Sequence, residues 1–264
     1  MKIGFIGCGN MATAMLKGIL KSGEVKNGDM IASAKSDKTR EKIEKELGIQ
    51  KADTNAQVVD FADVVFLAVK PQFLEEVLDE IKDNVKEGQI FISIAPGKTL
   101  QWLGEHLGEG TKIIRTMPNT PAMVGEGMTA LCVNEQVTEK ETLLAVTLCN
   151  TFGKTEVIPE RLMDAVVGVS GSSPAYVFMF LEAMADAAVA DGMPRAQAYK
   201  FAAQAVLGSA KLMLDTGKHP GELKDMVCSP AGTTIQAVRV LEEKGLRSAV
   251  FEAQLECVKK AKGM

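Results

Sequence analysis

The sequence predicts an α/β domain, with a mostly parallel sheet and helices on both faces, followed by an all-α domain. Three observations carry this. Short apolar, β-type runs alternate with helical patterns as far as residue 160, and repeated βα units build a parallel sheet covered by helices. The first run leads straight into Gly7-Cys8-Gly9-Asn10-Met11-Ala12 and a helix. Beyond Glu160 no strand pattern remains, and alanine- and leucine-rich helices take over. The domains are therefore read as 1–160 and 161–264.

Lys2–Gly7 is a strand-like run, and Asn10–Lys21 has helical spacing. Met30–Ala34 is a second strand, followed by the charged helix Asp37–Leu47. Asp63–Val69 is nearly all apolar and rich in valine, as a strand buried on both faces requires. Gln72–Val85 is helical, Gln89–Ile94 a strand, Leu100–Leu107 a helix and Lys112–Thr116 a strand. Thr129–Val133 and Lys154–Ile158 read as edge strands, with a helix at Glu139–Asn150 between them. Pro174 and Pro194 stand where helices begin, because proline suits the first helical position. Helices follow at Ala175–Asp191 and Arg195–Asp215, then at Glu222–Met226, Thr233–Lys244 and Arg247–Lys260.

The helix at Ala175–Asp191 is apolar on most of its circumference, so it needs cover on every side. A short helical domain offers little cover alone. A homodimer that interleaves these helices is expected; burial against the α/β domain of the same chain is the alternative.

Of the 264 residues, 46% are hydrophobic and 24% charged, the range of soluble globular proteins. The net charge of −4 advertises no basic surface for nucleic acid or an anionic membrane. Five cysteines at wide spacings, no CxxC and two histidines argue against a disulfide framework and a zinc site, and for a reducing compartment. No metal is expected. The apolar start Ile3–Ile6 is too short for a signal-peptide core. The stretch Ala175–Leu181 falls short of the roughly 18 apolar residues of a membrane span. A cytoplasmic protein with no membrane partner is expected.

The GxGxxA sequence has a task for each position. Gly7 permits the tight turn, Gly9 lets backbone approach a pyrophosphate, and Ala12 lets the helix pack closely on the strand. N–H groups at the helix start, around Asn10 and Met11, then face the phosphates. Strand, glycines and helix together mark a Rossmann domain that binds a nicotinamide dinucleotide. A ligand-free glycine turn is the bland alternative. Cys8 reads as a small turn residue. At the end of the second strand, where NAD sites carry an acid for the ribose, the chain reads Ala32-Ser33-Ala34-Lys35-Ser36, with Arg40 a turn later. Ser33, Lys35 and Ser36 suit a 2′-phosphate. NADP(H) is the expected cofactor and NAD(H) use stays open; a surface lysine and a serine cap is the bland reading. Asn55 is a ribose candidate or a helix-capping residue. Ligands in such sheets lie at the strands' carboxyl ends, which adds Ala68-Val69-Lys70-Pro71, Ala95-Pro96-Gly97, Met117 and Asn119 to the cofactor set.

Five blocks in order, Phe5–Met15, Phe66–Gln72, Arg115–Leu131, Val169–Tyr176 and His219–Val238, resemble the pyrroline-5-carboxylate reductase family over nearly the whole chain. The resemblance implies a Rossmann domain followed by a helical dimerisation domain. It implies dimers that build each active site from both subunits and assemble further. It also implies reduction of the cyclic imine 1-pyrroline-5-carboxylate to L-proline, the last step of proline synthesis, with NAD(P)H. Ser229-Pro230-Ala231-Gly232-Thr233-Thr234 matches the family's substrate loop. Ser229, Gly232, Thr233 and Thr234 are therefore the substrate candidates, and the Thr234 hydroxyl is the catalytic one, orienting the ring nitrogen. A plain helix cap is the alternative.

In the Val169–Tyr176 block Ser173 replaces the family's second glycine, which would strain a site that needs positive φ but is tolerated where only a small residue is needed, and Cys228 replaces a serine. Glu182 and Asp186 share a helix face and read as solvated charge rather than an acid–base pair. A β-hydroxyacid dehydrogenase would carry a lysine after the domain junction, but Ser170–Ala190 has none, and Lys200 lies outside any matching motif. A dinucleotide-binding regulator without turnover would not need the loop at 229–234.

Overall fold

The first apolar run folds as β1 (Ile3–Ile6) and turns at Gly7 into α1 (Asn10–Ser22) in the computed structural model, which describes residues 1–263. The βα alternation continues through β2 (Met30–Ser33), α2 (Asp37–Lys45), β3 (Gln50–Lys51), α3 (Asn55–Phe61), β4 (Val64–Leu67) and α4 (Leu74–Ile81). β5 (Ile90–Ser93), α5 (Leu100–Leu107), β6 (Lys112–Met117), β7 (Gly127–Val133), α6 (Glu139–Asn150) and β8 (Gly153–Val157) complete it. The strands form one sheet in the order β3-β2-β1-β4-β5-β6-β7-β8. Every neighbouring pair is parallel except β6 and β7.

β1, β2, β4 and β5 are buried along their whole length, which is why they carry unbroken apolar runs. One face packs Phe5, Phe66, Met15, Leu16 and Phe152, with Phe5 stacked on Phe66 at 4.4 Å. The other packs Ile6, Val65, Leu67, Leu78 and Phe91. Each such side chain contributes about 1.5–3 kcal/mol by burial. Helix starts are set by local chemistry: Ser36, Thr54 and Thr99 cap α2, α3 and α5. Thr138 and Glu141 make a reciprocal capping box on α6.

Two elements escape the sequence pattern. β3 has only two residues, both polar and exposed, so it shows no alternation; it exists because β2 offers it a partner. α3 has seven residues, too few to show a period. The reading of Thr129–Val133 as an edge is corrected: β7 starts at Gly127 and lies inside the sheet, and β8 alone forms that rim. β7 is buried at Ala130, Leu131 and Cys132, whereas Lys154, Glu156 and Val157 of β8 are exposed. A side chain on Gly153 would overlap the Gly127 backbone, so the two strands approach there as only glycine allows.

After β8 the chain is helical: α7 (Met163–Val166), a π-turn at Val167–Gly171, α8 (Ser173–Ala190) and α9 (Arg195–Thr216). α10 (Pro220–Val227), α11 (Thr233–Glu243) and α12 (Leu246–Ala261) follow. The chain divides into two compact units: Met1–Ser172 with the end of α12 from Val258, and Ser173–Cys257. The residue-160 boundary read from sequence marks the end of the strands; the first unit runs on through Ser172. Pro174 lies in the first turn of α8, but Pro194 stands one position early, capping α9 with an extended ψ of 135°. Ser173 carries no positive φ, so the serine is not strained there. Asp186 pairs with Arg195 at the α8–α9 corner and Glu182 is exposed, so these carboxylates are not a couple.

α8 buries only Ala185. Phe178, Met179, Phe201 and Leu214 are exposed, the last at 82%. The segment Glu160–Ala190 has a mean hydropathy of 1.2 and is long and apolar enough, by length and composition alone, to cross a membrane. It is longer than the Ala175–Leu181 stretch visible in the sequence because the helical turns of Glu160–Gly171 come before α8.

Candidate active site

A cleft of about 790 Å³ opens at the carboxyl ends of β1, β2 and β4. Its floor is Gly7, Cys8 and Gly9; one wall is Ser33 to Ser36 with Thr39 and Arg40. The opposite wall is Asp53, Thr54 and Asn55 from the start of α3, with Phe73, Glu76 and Glu80 around α4. Ala68, Val69 and Lys70 close the end.

The glycines sit where each is needed. Gly7 has φ +94°, and a Cβ there would come within 2.8 Å of the Ala68 carbonyl. Gly9 caps α1 with no side-chain hydrogen bond, and a Cβ on it would meet nothing within 4 Å. An uncapped N-terminus above open space at a bare glycine is the cradle a pyrophosphate fills. The residues present therefore fit a dinucleotide, with Gly9, Asn10 and Met11 supplying backbone donors. Burial pushes the Cys8 thiol up, partly offset by a contact with Thr13 and the charge of Lys42, so it is a turn residue and not a thiolate.

The two walls differ in charge. Lys35 lies over the Phe73 ring at 5.1 Å. The Arg40 Nε donates to the Ala34 carbonyl at 2.7 Å, which aims the guanidinium along the wall. Ser36 caps α2 by accepting from the Thr39 N–H at 3.3 Å, and its hydroxyl meets that of Thr39 at 2.8 Å. The cap predicted as the bland reading of Ser36 is thus real, and the same hydroxyl lines the cleft. Asn55 is the first residue of α3 and the cap is Thr54. Asn55 therefore does not cap; its side chain accepts from the Ser33 hydroxyl at 2.7 Å.

Other residues read from the sequence lie outside this cleft. Pro71 opens a single 3₁₀ turn before α4. Ala95 and Pro96 precede Gly97, whose φ of +77° makes the turn after β5. Met117 ends β6, and its methyl lies 2.9 Å from where a Cβ on Gly171 would be. The Asn119 side chain is occupied within the protein: Nδ2 donates to the Ser170 carbonyl and hydroxyl at 3.2 and 3.1 Å, and Oδ1 accepts from the Met128 N–H at 2.8 Å. It braces the loop after β6 to the π-turn. Sequence reasoning missed Thr39, Asp53, Phe73, Glu76 and Glu80. Only Glu76 and Glu80, four apart on one helix face, left a readable trace.

In the helical unit, the turn from Ser229 leads into α11. Its N-cap is Gly232, with no side-chain hydrogen bond. The serine or threonine cap is therefore not what this segment builds, and the first-turn N–H groups of Thr233 and Thr234 meet no capping side chain. The Gly232 N–H is used by the Ser229 carbonyl at 3.1 Å, and a side chain on Gly232 would collide with the Ser229 hydroxyl. Ala231 has φ +57° and is the one non-glycine residue with positive φ among the described residues. Such a conformation costs about 1–2 kcal/mol and clusters at functional turns. Cys228 ends α10 through its backbone, donating to Asp225 at 3.0 Å, so its exchange for serine leaves the turn's framework intact. Among the described residues no group of side chains is arranged to hold a metal ion.

Residues 160–264 match the family described as pyrroline-5-carboxylate reductase dimerisation, and residues 2–97 match NADP oxidoreductase coenzyme F420-dependent. The chain is 55% identical over 260 residues to pyrroline-5-carboxylate reductase of Escherichia coli K12, covering 98% of this chain and 97% of that one. A solved pyrroline-5-carboxylate reductase from Coxiella burnetii superposes with a TM-score of 0.92 at 34% identity, covering 99% and 97%. The Plasmodium falciparum pyrroline carboxylate reductase with NADP bound gives 0.89 at 29% identity, covering 100% and 97%.

Proposed function

The chain belongs to the pyrroline-5-carboxylate reductase family, and we infer that it reduces 1-pyrroline-5-carboxylate to L-proline, preferring NADPH and accepting NADH. It is an oxidoreductase of the last step of proline biosynthesis. The observation that carries the reading is the turn at Ser229–Thr234, where an uncapped helix N-terminus stands beside two threonine hydroxyls.

The nicotinamide supplies a hydride to the imine carbon when bound. The protein's part is to hold and orient. The positive end of the α11 dipole and the N–H groups of Thr233 and Thr234 suit the substrate carboxylate. The Thr234 hydroxyl bonds the ring nitrogen and orients it; the Ser229 carbonyl holds the turn through the Gly232 N–H. A cyclic imine takes up a proton readily, so positioning and a preformed polar site supply the catalysis. Lys35, Ser36, Thr39 and Arg40 form the cationic, donor-rich wall for a 2′-phosphate. Asn119, Met117 and the turn at Ala95–Gly97 line the sheet end toward the nicotinamide half.

We place the enzyme in the cytoplasm as a homodimer able to assemble further. The second copy, and not lipid, covers Phe178, Met179 and Leu214. Residues 161–264 form the dimerisation and substrate domain.

The test mixes purified protein with the imine and NADPH, or NADH in parallel, and follows loss of reduced nicotinamide and gain of proline. Rapid turnover that is faster with NADPH is expected. Folded protein that binds dinucleotide but oxidises neither cofactor would sink the reading.

A further inference from the structure

Glu80 lies near the end of α4 and lines the cleft. Its carboxylate grips Asn55 twice, accepting from the backbone N–H at 3.2 Å and from Nδ2 at 2.6 Å. Asn55 Oδ1 accepts in turn from the Ser33 hydroxyl at 2.7 Å. Ser33 is 4% exposed at the end of β2, and its carbonyl accepts the N–H of Gly7 at 3.2 Å. One hydrogen-bonded chain thus joins the glycine turn to Glu80.

The polarity of that chain is dictated from one end. An ionised carboxylate only accepts. It therefore draws the amide nitrogen of Asn55 to its side and leaves the amide oxygen toward Ser33. The Ser33 hydroxyl has one proton and spends it on that oxygen. Only lone pairs remain on Ser33 for a ligand. A 2′-phosphate is itself an acceptor and cannot use them, whereas a ribose hydroxyl can. Ser33 also stands at the strand end where NAD sites carry an acid that accepts from the ribose.

We propose that Glu80 is a positioning residue: by fixing the Asn55 amide it makes Ser33 an acceptor for a ribose hydroxyl that both NADPH and NADH possess. This rests on the dinucleotide reading of the cleft. The 2′-phosphate is left to Lys35, Ser36, Thr39 and Arg40 beyond Ser33, so Glu80 serves affinity for both cofactors and not the choice between them.

The test uses Glu80→Ala, Glu80→Gln, Ser33→Ala and the Glu80→Ala/Ser33→Ala double variant in the full-length enzyme. NADPH and NADH dissociation constants come from nicotinamide fluorescence, beside KM and kcat. For Glu80→Ala both dissociation constants should rise by a similar factor, about five- to twentyfold for a lost hydrogen bond. The KM for the imine and kcat at saturating cofactor should stay within about twofold by the same reasoning, since Glu80 acts only on cofactor binding. The double variant should bind no more weakly than Ser33→Ala, because both changes cut one chain. Glu80→Gln, which keeps size and one acceptor, should fall between, and it carries the test if the alanine variant does not fold. Unchanged cofactor binding, effects that multiply in the double variant, or a change confined to one cofactor would overturn the proposal. Because binding is read without the imine, a wild-type enzyme that binds cofactor but fails to turn over would count against the reaction assigned above and leave Glu80 judged on its own data.

Discussion

Replacing Arg40 by alanine should turn the enzyme from NADPH toward NADH. The guanidinium is held by its Nε bond to Ala34 at 2.7 Å, and among the described residues its outer nitrogens meet only Asp37, at 4.0 Å. The side chain is 36% exposed, so its bond to a phosphate lies between two limits. A hydrogen bond to a charged group contributes about 1.5–3 kcal/mol, and an exposed ion pair about 0.2–1 kcal/mol. A loss of about 1–2 kcal/mol follows from those limits, or about five- to thirtyfold in NADPH affinity. NADH, with a hydroxyl in place of the phosphate, should change by less than about twofold because no such bond is lost. Steady-state KM values for both cofactors check this, with a urea melt to confirm that loss of the Ala34 bond leaves the fold intact. Equal losses for both cofactors, or none for NADPH, would refute the assignment of this wall to the 2′-phosphate.

Three further outcomes are expected. Ala231→Gly relieves the positive φ at the substrate turn, so stability should hold or rise by up to about 1 kcal/mol, while the imine KM rises as the turn loosens; a melt and a substrate titration separate the two. Phe178→Asp places a charge on the exposed apolar face of α8 and should shift the assembly to smaller species, read by light scattering; an unchanged mass would place the subunit contact elsewhere. Burial pushes the Cys149 thiol up to about 12 from its ordinary 9.0. In the unfolded chain it ionises first, so stability falls as pH rises from 9.0 toward about 12, by about 1.4 kcal/mol per unit at most. Urea midpoints taken across that range should fall less steeply in Cys149→Ala.

The elements that were legible are those whose local and long-range demands agree. Val64–Leu67 is apolar because both faces are covered, Gly7 is glycine because the Ala68 carbonyl crowds it at positive φ, and Ala12 is small and buried in the core. β3 was illegible because its pairing is supplied by β2 and not by its own residues. β7 looked like an edge because antiparallel return in a parallel sheet leaves no mark in the strand itself. At the site, one-sided properties such as a missing acid after β2 were readable. The Glu80–Asn55–Ser33 chain was not, since it joins side chains 22 and 25 positions apart that only the sheet order brings together. The turn before α11 reads from sequence as either a cap or a substrate loop, and the structure shows only that Gly232 is its N-cap with no side-chain bond.

The exposed flanks of α8 and α9 make dilution a chemical variable. If the large apolar side chains Phe178, Met179, Phe201 and Leu214 are covered only by a second chain, folding of this region and pairing of chains are one equilibrium. Its free energy then falls by about 1.4 kcal/mol for every tenfold dilution. Turnover per chain would decline at low enzyme concentration, and the melting temperature would depend on how much protein is in the tube.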